Sequence, residues 1–268
     1  MKKLVIIHGV TGAIGSACFG LFASQKDTIV YGISRKAKDF SEFCVDENLP
    51  MKTLICSISE TSAARMALEF ADAISTEKFD QISYIHAVGL YPFEIDSKGN
   101  KIIQYDDDKD GIDDRCLYLT KILFTHFCST LAQATRKPFH AVLFGSLADE
   151  HKPIAHTSWW KSIEKLKENL LYRQKNGATE IVSLVNISSV LCPNELITRP
   201  FVFTATDANP HYWLQPIEVA QFVEKILKKK RVKKFKEYFL FKKVPKFDKE
   251  YYEDHKFTPR KVAELYKK

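Results

Sequence analysis

One stretch of the sequence combines a hydroxyl, an imidazole and an amine at spacings that suit acid–base chemistry. In VLFGSLADEHKPIAHTSWWKSIEKLKENLL, Ser146 follows a short apolar run and Lys161 lies within a helical pattern. His156 stands beside Thr157 where the helical pattern begins, and an imidazole with a pKa near ~6.5 can transfer a proton at neutral pH. A threonine hydroxyl has a far higher pKa and is a poor general acid. The stretch therefore offers groups that suit proton transfer, with His156 as a candidate acid.

A glycine-rich turn near the start of the sequence is suited to binding a pyrophosphate. Three glycines lie between an apolar strand pattern and a helical pattern in LVIIHGVTGAIGSA. Glycine permits the tight turn and lets the backbone approach a phosphate closely, while the helix N-terminus offers free N–H groups. Because the motif has the correct context on both sides, it predicts a dinucleotide site. The residues expected to form this site are Gly9, Thr11, Gly12, Ile14 and Gly15.

The residues after the second strand pattern indicate which dinucleotide binds. A free ribose 2′-hydroxyl is usually met by an Asp or Glu at this place. This chain has Ser34, Arg35 and Lys36 there instead. A guanidinium can form a bidentate pair with a 2′-phosphate. The sequence therefore favours NADP(H) over NAD(H) as the cofactor, with an ordinary surface Arg-Lys pair as the alternative interpretation.

Apolar runs alternate with longer helical patterns along the chain. Most runs are rich in Val and Ile without alternation, as expected for parallel strands covered on both faces. Strand, helix and strand repeated in this way predict an α/β fold with a doubly wound parallel sheet. The predicted strands are Leu4–His8, Thr28–Ser34, Lys52–Cys56, Ile82–Ala87, Ala141–Gly145, Ile181–Ser188 and Glu237–Phe241. The predicted helices are Ile14–Ser24, Ser62–Ser75, Asp113–Ala134, Ser158–Asn176 and Pro216–Lys229.

Two long connections, Tyr91–Gly111 and Pro193–Leu214, lack an apolar period. Connections of that length in a compact domain are usually functional or mobile. The first contains YDDDKDGIDDR, whose aspartates match the first half of a calcium loop, but Leu117 stands where the bidentate Glu is required. A solvated acidic turn is the favoured interpretation, and no metal site is expected.

The glycine spacing, GxxGAIG, resembles that of the short-chain dehydrogenase/reductase family rather than the GxGxxG of other dinucleotide folds. Later segments resemble family motifs in the same order along the chain. Ile85–Gly89 lies where the family has an Asn-Ala-Gly-type turn lining the cofactor, and His86 takes the asparagine place. Ser146 lies where the family keeps a substrate-polarising serine. LQPIEVAQFVEKIL is similar to the family's late Pro-x-x-Val-Ala helix.

The resemblance covers roughly residues 1–243 and implies how the chain is organised. We expect one Rossmann-type domain of three layers, α/β/α, over residues 1–244, followed by a basic extension over residues 245–268. The turn after the fourth predicted strand would place Ala87 and Gly89 against the cofactor.

The catalytic segment departs from the family pattern. The family's Tyr-x-x-x-Lys motif places both side chains one helical turn apart, where the lysine holds the ribose and the tyrosine transfers a proton. In one register Lys161 is the lysine and Thr157 takes the tyrosine place; in the other Lys165 is the lysine and Lys161 takes that place. The first register is favoured because it gives a buried stripe of 3–4 spacing. That stripe is Trp159, Ile163, Leu166 and Leu170.

Because the tyrosine is missing, a proton donor must come from elsewhere. His156 is one candidate, and a surface position in a loop is its alternative interpretation. The helix-four asparagine of the family is also absent. Tyr118 lies near that place in RCLYLTKILFTHF, where it either supplies a phenol or packs in the core. Water is the third source.

The charge and cysteine distributions bear on partners and compartment. Residues 228–268 hold 16 Lys/Arg and 6 Asp/Glu, whereas the other 227 residues hold 24 and 27. A basic segment can attract nucleic acid, but no nucleic-acid fold motif accompanies it, so nucleic acid is not an expected partner. No run of eighteen apolar residues occurs, so no membrane span is expected. The six cysteines are scattered without a CxxC pair, which is typical of reduced thiols in a cytoplasmic protein.

Two functions stay open at this point. The first is an NADP(H)-dependent oxidoreductase of the short-chain type with an altered proton donor. Aromatic residues at Trp159, Trp160 and in Pro193–Leu214 suit a small apolar or planar substrate with a carbonyl or imine group. The second is a non-catalytic NADP(H)-binding sensor or scaffold of the same fold. Because the family commonly dimerises or tetramerises, the resemblance also implies a homo-oligomer.

Overall fold

The structure is a computed structural model, and it describes part of the chain. The described residues are 2–34, 51–55, 68, 71–72, 79–88, 93–95, 101–103, 117, 121, 123–146, 157–188, 190, 214–229 and 233–241. The expected C-terminal extension over residues 245–268 lies outside this part, as does most of the predicted helix Ser62–Ser75.

Seven parallel strands form one sheet within the described residues, and two short strands form a separate antiparallel hairpin. The spatial order of the sheet is β3-β2-β1-β4-β7-β8-β9, so the chain grows outward in both directions from the centre. This is the doubly wound arrangement that the sequence predicts. The strands are β1 (Lys3–His8), β2 (Thr28–Ser34), β3 (Met51–Ile55), β4 (Gln81–His86), β5 (Phe93–Ile95), β6 (Lys101–Ile103), β7 (Phe139–Ser146), β8 (Ile181–Ile187) and β9 (Phe235–Leu240).

Helices cover both faces of the sheet and produce the three layers. The four helices with full bounds are α1 (Ala13–Ala23), α2 (Leu123–Thr135), α3 (Thr157–Lys175) and α4 (Pro216–Leu227). Alternate residues of β1 point to opposite faces, so Leu4 and Ile6 pack with buried residues of α2 and α3. Val5 and Ile7 pack with buried residues of α1 and α4 on the other face. The continuous apolar runs of the sequence follow from this two-sided burial.

The direction of winding reverses between β1 and β4, which are neighbours at the centre of the sheet. The register pairs His8 with His86, so both strands end at the same level of their carboxyl edge. In open α/β sheets, ligands bind in the crevice outside the carboxyl ends of the strands at such a reversal. The fold therefore places the glycine turn, which begins at Gly9, at the position where a ligand site is expected.

The predicted strands of the main sheet agree with the observed ones to within two residues at each end. The hairpin was not predicted. Phe93 pairs with Ile103 and Ile95 pairs with Lys101 inside the connection Tyr91–Gly111, which carries no apolar period. Each strand is only three residues long, and a stretch that short cannot display a reliable alternation. The acidic stretch that begins at Tyr105 lies outside the described residues.

The last helix shows how local sequence sets a helix boundary. Gln215 precedes α4, and the side chain of Glu218 accepts a hydrogen bond of 2.6 Å from the backbone N–H of Gln215. This capping box satisfies backbone groups that a helix N-terminus leaves without partners, and Pro216 occupies the first helical position. Among the helices that the structure describes, none is long and apolar enough to cross a membrane.

The burial of His140 on β7 can be tested through the pH dependence of the free energy of unfolding. Its Nε2 lies 2.9 Å from Oγ of Ser183, and burial lowers the pKa of the imidazole to about 4. The unfolded chain binds this proton near pH ~6.5, so it binds more protons than the folded chain between about 4 and 6.5. We therefore expect the free energy of unfolding to fall as the pH is lowered through that window.

Denaturant unfolding at a series of pH values measures this slope, to which one such histidine contributes up to about 1.4 kcal/mol per pH unit. The variant His140→Gln should have a shallower slope than the unsubstituted protein. His126→Gln, at an exposed position of α2, is the matched control and should keep the original slope. Equal slopes for all three proteins would contradict the assignment to His140.

Candidate functional site

The glycine turn after β1 is held close to both neighbouring strands. The backbone N–H of Gly9 donates to the carbonyl of Ile33 on β2 at 2.9 Å, and that of Ala87 donates to the carbonyl of His8 at 2.9 Å. Gly9 has a φ of +84°, a left-handed conformation that favours glycine. A Cβ at this position would also lie 2.6 Å from the carbonyl oxygen of Ala87. The turn therefore requires glycine for both conformation and space.

The first turn of α1 packs directly onto this glycine turn. A Cβ on Gly15 would lie 2.1 Å from the carbonyl oxygen of Gly9, well inside any real contact. Gly12 is the N-cap of α1, and its own N–H donates to the carbonyl of Gly9 at 3.0 Å. Each of the three glycines that the sequence analysis selected thus lies at a close backbone approach.

These contacts leave the N-terminus of α1 suited to a phosphate. Gly12 offers no side chain to cap the helix, and the first turn contains no acidic residue. The free N–H groups and the positive end of the helix dipole therefore favour an anion at this place. Thr11 and Ile14 lie in the same turn and at the start of the same helix. A turn built from glycines, with backbone this close at Gly9 and Gly15 and a helix N-terminus beside it, is compatible with the pyrophosphate of a dinucleotide.

Apart from Lys161, the structure describes only Ser34 and Ala87 among the other predicted cofactor residues, and both lie beside this turn. Ser34 is the last residue of β2, and His8 pairs with Ile33, so β2 ends level with Gly9, where the turn begins. Ala87 follows β4 and contacts Gly9 through its carbonyl. Arg35, Lys36 and Gly89 lie outside the described residues.

The predicted catalytic residues come from β7 and α3. Ser146 is the last residue of β7, as the sequence predicts, and α3 begins at Thr157. Lys161 is half-buried in the second turn of α3. His156 and Tyr118, the two candidate proton donors, lie outside the described residues. The structure thus positions the chain segments that carry the serine and the lysine.

The buried face of α3 contains three of the four residues of the predicted stripe, and the choice between the two lysine registers stays a prediction. Ile163, Leu166 and Leu170 are buried against the sheet, as the predicted stripe requires. The helix follows the carboxyl end of β7 and returns toward the start of β8, so its first turns lie nearest the carboxyl edge. Because each helical residue rises about 1.5 Å, Lys165 lies roughly 6 Å further along α3 than Lys161. Lys161 is therefore the lysine closer to the helix start.

A buried polar network beneath the glycine turn was missed by the sequence analysis. Nδ1 of His8 lies 3.1 Å from Oη of Tyr84, and the same Oη lies 2.9 Å from Nδ1 of His86. The three residues are 1%, 0% and 3% exposed. A signal was present in the sequence, because two neighbouring buried strands both end in histidine, in IIHG and YIHA. Only His86 was noted, and only for its place in the turn.

The electrostatics of this network keep His8 and Tyr84 neutral. Burial, with a smaller effect from His86, lowers the pKa of His8 well below its usual value. Burial, and then the nearby thiol of Cys128, raises the pKa of the Tyr84 phenol well above its usual value. The phenol therefore keeps its hydrogen, and His8 carries no charge at neutral pH.

This chain resembles known proteins in fold rather than in sequence. No family model matches the sequence, and no curated protein matches it. Solved structures do match the fold. A 3-hydroxyacyl-CoA dehydrogenase type-2 from Mycobacterium avium has a TM-score of 0.68 at 14% identity, over 91% of this chain and 96% of that one.

Two further solved structures are similar over nearly their whole length. The alcohol dehydrogenase of the archaeon Thermococcus sibiricus, complexed with 5-hydroxy-NADP, has a TM-score of 0.66 at 13% identity, over 91% of this chain and 99% of that one. The L-sorbose reductase of Gluconobacter frateurii, complexed with NADPH and L-sorbose, has a TM-score of 0.64 at 16% identity, over 89% and 95%. The chain therefore has the fold of these dehydrogenase and reductase structures, which a short-chain dehydrogenase/reductase from Brucella melitensis also shares.

Two glycines of α1 form a matched pair for testing the turn. A Cβ at Gly15 collides with backbone, so Gly15→Ala should destabilise the protein by about 1–3 kcal/mol, as overpacking does. A Cβ at Gly20 meets nothing within 4 Å, so Gly20→Ala should stabilise the helix by about 0.5–1 kcal/mol. Denaturant unfolding measures both changes. Equal effects of the two substitutions would show that α1 does not pack on the turn as described.

Proposed function

We propose that this protein is an NADP(H)-dependent oxidoreductase of the short-chain type. Its substrate would carry a carbonyl or imine group, or the corresponding alcohol or amine. The single observation that carries the proposal is the glycine turn, which leaves no room for a Cβ at Gly9 or Gly15 and lies where the sheet reverses. The likeness of the fold to dehydrogenases and reductases supports the same reaction class.

The cofactor would be held by backbone at one end and by cations at the other. The turn from Gly9 to Gly15 would take the pyrophosphate, and Ala87 and Gly89 would line the dinucleotide beside β4. The charge after β2, Arg35 and Lys36, would pair with a 2′-phosphate and so select NADP(H). When bound, a nicotinamide dinucleotide supplies or accepts the hydride.

The protein side of the chemistry would be divided among a few residues. The hydroxyl of Ser146 would donate a hydrogen bond to the substrate oxygen or nitrogen at the end of β7. Lys161 would bind the ribose and raise the local positive potential near the reacting group. Since Thr157 is a poor acid, a proton would come from His156, from Tyr118 or from water.

The aromatic residues of the sequence indicate the kind of substrate. Those of Pro193–Leu214, together with Trp159 and Trp160, favour a small apolar or planar substrate.

The exposed apolar residues of α3 bear on the oligomeric state. A homo-oligomer agrees with the outer face of α3, where Leu171 is 47% and Tyr172 is 68% exposed. Cys18 and Cys128 are free thiols buried in the core, in agreement with a reducing, cytoplasmic compartment.

The alternative function is a non-catalytic NADP(H)-binding sensor or scaffold. The observation that favours it is the absence of tyrosine four residues before Lys161, where Thr157 stands. Such a protein would use the same glycine turn to bind the dinucleotide. It would bind NADPH without turning over any carbonyl compound, which separates it from the enzyme.

Cofactor selectivity is the first test of the proposal. Titration of the purified protein, followed by tryptophan fluorescence at moderate salt, should show tighter binding of NADPH than of NADH. Arg35→Ala should weaken NADPH binding by roughly 10- to 100-fold, the value of a charge-assisted hydrogen bond, and leave NADH binding unchanged. Lys137→Ala, which removes an exposed cation just before β7, is the control. Binding of neither nucleotide would refute the proposal.

The catalytic role of Ser146 separates the enzyme from the sensor. With NADPH and a panel of aldehydes, ketones and imines, Ser146→Ala should abolish turnover while NADPH affinity stays the same. The reason is that the hydroxyl would contact the substrate rather than the cofactor. Loss of reduced nicotinamide absorbance measures turnover, and fluorescence titration measures affinity. Turnover that survives the substitution would exclude this role for Ser146.

A further inference from the structure

We propose that a cluster of lysines, where α4 ends and β9 begins, binds the phosphate backbone of double-stranded nucleic acid without preference for base sequence. This cluster, the lysine surface, is carried by its location, its charge and its lack of exposed apolar side chains. It goes beyond the proposed function, because it lies at the other edge of the sheet from the candidate site. Its members are Lys225, Lys228, Lys229, Lys233, Lys234 and Lys236.

The lysine surface lies at the amino edge of the sheet. Because β8 and β9 are parallel, α4 runs back from the carboxyl edge and ends where β9 starts. The carbonyl of Lys234 accepts a hydrogen bond of 2.7 Å from the backbone N–H of Val182, near the start of β8. The side chain of Gln25, just before β2, donates to Glu224 in the last turn of α4 at 2.6 Å. The glycine turn follows the carboxyl end of β1, so the two sites lie at opposite edges.

The charge of the lysine surface is strongly positive. Residues 224–229 and 233–236, all described, contain six exposed lysines and a single acidic residue, Glu224. Glu224 lies 2.7 Å from Nζ of Lys228, so it offsets one of the six charges. Glu180 lines an opening together with Lys234, but Glu180 is already ion-paired with Arg173. Within the described part of the chain, the other five lysines therefore keep their charge without an ion pair.

Two of the ammonium groups are held by one aromatic ring. Nζ of Lys229 lies 4.6 Å from the ring centroid of Tyr238, and Nζ of Lys236 lies 5.0 Å from it. The two groups are thus no more than about 10 Å apart, which is close to the Debye length at moderate salt, so their potentials reinforce each other. A ring attracts these cations without neutralising them, as a carboxylate would. Side chains that are already ordered lose less entropy when they bind an anion.

The composition of the lysine surface favours nucleic acid over a protein or a membrane. Protein interfaces have an apolar core and are depleted in lysine, and helices that lie on membranes present an apolar face beside their cations. Among the described residues between 224 and 236, no large apolar side chain is exposed. A phosphate backbone requires only cations at the surface. The exposed large apolar residues of the described chain lie elsewhere, at Leu68, Leu171, Tyr172, Ile217, Phe239 and Phe241.

The position of Tyr238 favours a duplex over a single strand. Proteins that bind single strands stack the bases on exposed aromatic rings. Tyr238 is only 8% exposed and lies beneath two lysines, so its ring cannot receive a base. A lysine contacts phosphate as a point charge and carries no sequence information. Because phosphate contacts need no dedicated fold motif, the lack of such a motif in the sequence does not conflict with this inference.

The salt dependence of binding is the first measurement. A fluorescently labelled DNA duplex of mixed sequence is titrated with the full-length protein, and anisotropy is followed at several salt concentrations. The logarithm of the affinity should fall linearly with the logarithm of salt concentration, with a slope between about −2 and −5. Each neutralised phosphate contributes about −0.9, and two to six lysines can be engaged. A duplex of unrelated sequence should bind equally. No binding at low salt, or preference for one sequence, overturns the inference.

Substitution of the lysines over Tyr238 locates the contact. Lys236→Gln should make the slope shallower by about 1, and Lys229→Gln/Lys236→Gln by about 2. Lys2→Gln is the matched control, because it removes one exposed lysine at the start of β1, four strands from β9. That separation is roughly 20 Å, about twice the Debye length, so the slope should not change. Denaturant unfolding confirms that each variant is folded. Equal slopes for Lys236→Gln and Lys2→Gln overturn the assignment to this surface.

Other anions test the choice of partner. Single-stranded DNA, polyglutamate and vesicles of phosphatidylcholine with phosphatidylserine should each bind more weakly than the duplex at the same salt concentration. Equal or tighter binding of any of them overturns the assignment to duplex nucleic acid.

A competition experiment separates this inference from the proposed function. Saturating NADPH should leave duplex binding unchanged, because the candidate site lies at the opposite edge of the sheet. Displacement of the duplex by NADPH overturns the inference, since both ligands would then share one site. Failure of NADPH to bind refutes the proposed function alone, and the salt slopes of the variants still decide whether the lysine surface binds the duplex.

Discussion

The close approach of backbone to backbone at the glycine turn is the constraint on which the candidate site depends. The carbonyl of Gly9 meets Gly15 of α1, and the space above Gly9 itself is filled by the carbonyl of Ala87 after β4. No side chain larger than hydrogen allows both approaches. They fix where α1 starts relative to the sheet, and so they fix the direction in which its N-terminal N–H groups point.

The parallel sheet supports this turn by burying apolar residues on both faces. Its two faces are covered by different helix pairs, and the two core clusters use alternate residues of the same strands. A strand that is buried on both sides has few places for polar groups, and those it has must be paired. His8, Tyr84 and His86 meet part of this requirement, because the Nδ1 atoms of both histidines are paired with the Tyr84 hydroxyl at the carboxyl edge of β1 and β4, while Nε2 of His8 has no partner in the part of the chain that the structure describes. A polar network can therefore lie within the core directly below the candidate site.

The candidate site resembles the family pattern at some positions and departs from it at others. The segments that carry Ser146 and Lys161 lie at the end of β7 and the start of α3, as in the family that the sequence resembles. In the register that we propose, Thr157 stands where the family places a phenol, and its hydroxyl is a far weaker acid. Among the buried tyrosines of the described core, Tyr84 lies between two histidines, which its hydroxyl contacts, rather than open to a substrate. The chain therefore has a buried hydrogen-bonded network beside the glycine turn.

The sequence by itself determined the elements of the main sheet and the glycine turn. Both depend on short-range patterns, namely apolar runs, helical periods and glycines at fixed spacing, which are visible within a dozen residues. The hairpin of β5 and β6 was not predictable, because three-residue strands show no period. The pairing of His8 with Tyr84 and His86 was decided only by the tertiary structure. Residues nearly eighty positions apart meet because β1 and β4 pair in one particular register, and no local pattern specifies that register.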